Sequence, residues 1–171
     1  MAIAFELVAG FAGDKGAADC CRRWLESRIG PVQIDEYTIT IHAPLISGYP
    51  YNDPTRFQVL IVPANVGCGV ALDETDERIP LSNAQLTRLG VFLYECLRGA
   101  PGYQLAMVGW DVDFLLDVDE LNTDWASKIL DGSFGGIVAS KSLLKQLPAS
   151  KYFVEFDDAH VWIPYTGSEA I

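Results

Sequence analysis

The chain has 171 residues, and its 12 basic and 23 acidic side chains give a formal net charge of −11. Half of the residues are hydrophobic and a fifth are charged, the balance of one folded domain over 1–171 that closes its core without disulfide or metal staples. No basic cluster exceeds Arg22-Arg23, so the composition excludes direct nucleic-acid binding and adhesion to an anionic membrane surface.

The N-terminus, Met1-Ala2-Ile3-Ala4-Phe5-Glu6, lacks a positive region, and Glu6 interrupts its apolar run, so it reads as neither signal peptide nor anchor. The alternation of Ile3, Phe5 and Leu7 predicts a strand over Ala2–Val8. A helix follows over Asp14–Arg28, with Ala17, Cys21 and Leu25 on one stripe and Gly30-Pro31 as its stop. Val32–Ala43 is strand-like but changes phase near Asp35-Glu36, which predicts a bulge or a short break. Ala43–Thr55 holds three prolines and Gly48 and reads as a long irregular loop, in which Tyr49-Pro50-Tyr51 would form a stiff aromatic surface. Phe57–Val62 is apolar on both faces, as expected of a covered central strand.

After a glycine-bearing, acidic loop, Ser82 and Gln85 form a capping box. Leu86, Leu89, Leu93, Cys96 and Leu97 make one helical stripe, and Gly99 suits its C-terminal end. Tyr103–Trp110 predicts a strand, Thr123–Leu130 a short helix and Phe134–Ala139 a strand. Ser140 caps a brief helix ended by Pro148, and Tyr152–Asp157 with His160–Tyr165 predicts a terminal hairpin. The expected fold class is α+β, a mixed and mainly antiparallel sheet flanked by three to four helices.

Signatures of the common chemistries are missing: there is no phosphate-binding loop, nucleophile elbow or HExxH pair. Cys20, Cys21, Cys68 and Cys96 form no CxxC pair and read as free thiols of a cytoplasmic protein. Residues 99–127 carry six acidic and no basic side chains. A calcium loop fails there in both registers, since Leu115 and Leu121 stand where a fifth-position oxygen ligand is needed. No metal site and no cofactor are therefore expected.

Two functional expectations remain. In the first, the chain is an acidic protein-binding module of immunity or inhibitor type, because charge complementarity speeds capture of a basic protein. Its contact residues would be Trp110, Asp111, Asp113, Phe114, Asp117, Asp119, Glu120 and Asp124. In the second, Cys68, exposed between Gly67 and Gly69, meets His42 or His160 in a cysteine-dependent hydrolase or transferase. Nothing in the sequence sets the oligomeric state.

Overall fold

The computed structural model describes residues 3–48, 56–73, 77–115 and 117–167, so Tyr49-Pro50-Tyr51 lies outside the described residues. Seven strands form one sheet in the order β4 (Leu45–Gly48), β5 (Arg56–Ile61), β1 (Phe5–Ala12), β6 (Leu105–Trp110), β7 (Val138–Ser140), β9 (His160–Trp162) and β8 (Val154–Glu155). Every neighbouring pair is antiparallel, and β2 (Val32–Ile34) with β3 (Tyr37–Ile39) makes a separate two-stranded hairpin. With four α-helices among the described residues this is an α+β fold.

One sheet face is apolar. Phe5, Leu7, Ala9 and Phe11 of β1 alternate towards it and meet Ala18, Cys21 and Leu25 of α1 (Lys15–Glu26) and Leu86, Leu89, Leu93 and Leu97 of α2 (Asn83–Leu97). Both helices are capped at their N-termini, α2 by the box that the sequence predicts. The Asp14 carboxylate accepts the Ala17 N–H at 3.0 Å, and Ser82 and Gln85 form their reciprocal box. Tyr94 ties α2 to the sheet: its buried hydroxyl accepts the Val108 N–H at 2.9 Å and donates to the Gly136 carbonyl at 2.6 Å. Gly136 has φ +92°, and a Cβ there would lie 2.4 Å from that hydroxyl, so both the backbone and the space require glycine.

The other face is covered by shorter pieces. Leu105, Ile137, Ala139 and Ile163 pack against Leu121 of α3 (Val118–Asn122), Ile129 of α4 (Ala126–Asp131) and Leu143 of a 3-10 turn over Leu143–Gln146.

Several expected boundaries shift for identifiable reasons. The first strand starts at Phe5 and continues to Ala12, since β5 and β6 both pair with Gly10. Of the two alternatives near Asp35-Glu36 the short break is the one found, a two-residue hairpin turn with Asp35 at φ +51° and no bulge within one strand. The expected irregular loop contains edge strand β4, whose partner is β5. The expected helix over Thr123–Leu130 is confined to α4, and α3 precedes it.

Candidate functional site

The strand register sets a row of side chains on the second face of the sheet. Glu6, Val8, Gly10 and Ala12 of β1 alternate away from the apolar face, and Leu60, Gln58 and Arg56 stand opposite Val8, Gly10 and Ala12. The chain leaving β6 at Trp110 turns onto this face and is fastened along it. The Asp111 N–H donates to the Ala4 carbonyl at 2.9 Å, and its Oδ1 accepts the Ala4 N–H at 2.8 Å. The Asp113 N–H donates to Glu6 Oε1 at 3.3 Å, while Gln58 Nε2 donates to the Asp113 carbonyl at 3.0 Å. Finally Arg56 Nη1 donates to Asp117 Oδ2 at 2.7 Å, and Asp117 Oδ1 caps α3 by accepting the N–H groups of Asp119 and Glu120.

Glu6 is 5 % exposed. Burial, then the charge of Asp113 and more weakly that of Asp111, push its carboxyl up to about 7, against partial compensation by the Asp113 and Val112 amides. Asp117 moves the other way. Its hydrogen bond from Arg56 holds it below the usual carboxylate value, helped by the Glu120 and Asp119 amides and opposed by burial.

The eight expected contact residues therefore divide. Trp110 is half-buried, edge-on to Phe5 at 5.4 Å and 72°, and belongs to the core of the helical face. Asp111 and Asp117 hold the turn through their carboxylates, and Asp113 does so through its backbone N–H and carbonyl. The side chain of Phe114 lies outside the described part of the structure. Asp119, Glu120 and Asp124 are exposed, and none pairs with a described cation. The sequence reading missed the anchors Glu6, Gln58 and Arg56. Their signal was there: a lone carboxylate inside the first apolar strand, and polar residues at alternate positions of the next long one.

Of the second expectation's residues, Cys68 and His160 are held apart. Cys68 exchanges two 2.8 Å backbone bonds with Ile3, just before β1. His160 lies at the opposite end, through Ser140, Gln104 and Gly10 of successive strands. The seven residue steps from Ile3 to Gly10 alone span roughly 23 Å of strand. His160 is also enclosed. It is 3 % exposed and stacked on Tyr103 at 3.8 Å, with Nδ1 on Asp157 at 2.8 Å and Nε2 on the Tyr103 carbonyl at 3.2 Å. These groups form the floor of an open hollow of about 860 Å³ bounded by Arg28 and Arg98. His42 is nearer to the Cys68 loop, but its Nε2 is engaged by Asp73 at 2.9 Å, and Asp73 also accepts the Asn65 N–H. Cys68 itself makes no side-chain hydrogen bond to a described residue.

Among the described residues no group of three or more His, Cys, Asp and Glu is arranged to hold a metal ion, and no helix is long and apolar enough to cross a membrane. No protein-family model, curated protein or solved structure was found to match this chain.

Proposed function

We propose that the chain is a protein-binding module that docks a basic protein partner through the outward carboxylates of α3 and the turn after it. The observation that carries this reading is the division of the acidic segment. Asp111, Asp113 and Asp117 fasten its root to the sheet, so Asp119, Glu120 and Asp124 are exposed on a held scaffold and not on a free tail. Charge presented in a fixed arrangement raises association rates and favours partners of opposite sign. Capture of a basic toxin or enzyme, as by an immunity or inhibitor-type protein, is the finer form of this proposal. Four free cysteines fit a reducing, cytoplasmic setting.

The test takes the basic protein that co-purifies with the chain from its native cell and measures association by stopped flow. The on-rate should fall at least tenfold between about 0.02 M and 0.15 M salt, since the screening length drops below the reach of exposed charges. The triple variant D119K/E120K/D124K should slow it by a similar factor while the chain stays folded and its melting temperature falls by only a few degrees. An on-rate indifferent to both salt and the triple variant removes the proposal.

A further inference from the structure

Glu6 is the only carboxylate-bearing residue classed among the buried side chains of the described structure. It projects from the central strand towards the turn at 111–113. Across the β1–β6 pair it faces Gly109, which offers no side chain to cover it, and a Cβ on Gly109 would lie 2.8 Å from Val112 Cγ1. The lid over this carboxyl is thus the turn itself. Asp111 begins it at φ +46°, a left-handed conformation that a residue with a side chain adopts at some cost, and one backbone bond and one side-chain bond to Ala4 hold it there.

We propose that Glu6 is a proton-operated latch on the acidic turn: with its carboxyl protonated the 111–113 turn closes over the sheet, and with it ionised the turn lifts to let water in. The charged groups acting on Glu6 are Asp113 and Asp111, both on the turn and both negative. From the adjoining β5 the turn is met by the neutral Gln58, and Arg56 is engaged with Asp117 at the far end of β1. Ionisation therefore adds a third negative charge beside those of Asp113 and Asp111. The Asp113 and Val112 amides oppose opening, because an ionised oxygen accepts a stronger hydrogen bond. They do not outweigh burial and repulsion, which place the midpoint at about 7. Opening breaks few bonds, those from Asp113 to Glu6 and from Gln58 to Asp113 first, and leaves α1, α2 and their core in place. The latch does not depend on the docking proposal, since it operates in the free chain.

The experiment is amide hydrogen exchange on the full-length chain from pH 5.5 to 8.5, corrected for intrinsic rates, with the Glu6 side-chain carboxyl followed by carbon NMR. Protection of residues 111–115 should fall about tenfold or more around a midpoint near neutrality, shared with the Glu6 resonance, while α2 protection changes little. In Glu6→Gln the turn should stay protected throughout. Should that variant not fold, Asp113→Asn serves in its place, and its Glu6 midpoint should drop because one opposing charge is gone. A Glu6 midpoint in the ordinary carboxylate range overturns the latch, and so does turn protection that ignores pH in the wild-type chain.

Discussion

The two faces of the sheet are covered by different chemistry. On one, α1 and α2 lay aliphatic stripes onto Phe5, Leu7, Ala9 and Phe11, and the contact is dry and without charge. On the other, the chain after β6 is fastened at Glu6, Gln58 and Arg56 by polar bonds, and an apolar cluster forms around Leu121 and Ile129. Stability of the first face should ignore pH and salt. The second should respond to both, and it is the face that carries the outward acids.

The largest effect expected is on the dry face. Leu93 is fully buried, and Leu93→Ala should cost about 3 kcal/mol through lost burial and the cavity left behind. Urea denaturation at pH 5.5 and at pH 8 should give the same loss. A loss that differs between the two would mean that the faces are coupled, and the contrast would fail.

Glu6 should supply a comparable effect that appears only with pH. Its folded value of about 7 stands above its ordinary 4.5, so between these values the folded chain binds more protons than the unfolded one. Its contribution is fully present below pH 4.5 and is lost as pH rises through 7, to a total of about 3 kcal/mol at most. If the turn lifts, water relieves part of this, and the measured loss should be smaller. Glu6→Gln should remove that slope and be more stable than wild type at pH 8, which thermal melts across this window check.

The anchor at the far end of β1 is weaker. Its Arg56 guanidinium is 46 % exposed, so solvent screens the ion pair with Asp117, and the pair contributes well under 1 kcal/mol. Asp117→Asn keeps a capping oxygen but loses the charge, whereas Asp117→Ala loses both and should cost about 1 kcal/mol. Because the Asp117 carboxyl is held below its ordinary 3.8, this stability is present above that value and lost as pH falls beneath it. The Asn and Ala variants should therefore separate at pH 7 by denaturant titration, and equal midpoints would show that the cap is idle.

The difference between the faces also governs what could be read in advance. The dry face is written locally: four-residue spacing and a capping box place α2 without knowledge of anything else in the chain. The fastened face depends on pairs such as Asp113 with Glu6 and Ala4 with Asp111, each separated by 107 residues. Composition showed that residues 99–127 were acidic, but not which acids would be consumed as fasteners. Strand β4 was hidden for the same reason, because its pairing comes from β5 and its own Gly- and Pro-bearing surroundings argue for a loop. Cys68 and His160 stand apart because the antiparallel order sends them to opposite ends of β1, an arrangement that no spacing along the chain encodes.

The smallest effects belong to the outward acids, and they are the sharpest check on the division of the segment. Asp119 and Glu120 lie in the first turn of α3, where a negative charge favours the helix N-terminus by a few tenths of a kcal/mol when exposed. Asp124 lies beyond the helix and has no such role. Asp119→Asn and Glu120→Gln should therefore lower stability by about 0.3 kcal/mol each at low salt, with the loss fading at about 0.5 M salt as the dipole interaction is screened. Asp124→Asn should be neutral, or slightly stabilising through relief of repulsion in a chain of net charge −11. Thermal melts of the three single variants at both salt concentrations separate these outcomes. A loss above about 1 kcal/mol at any of the three would class that carboxylate with the fasteners and remove it from the surface offered to a partner.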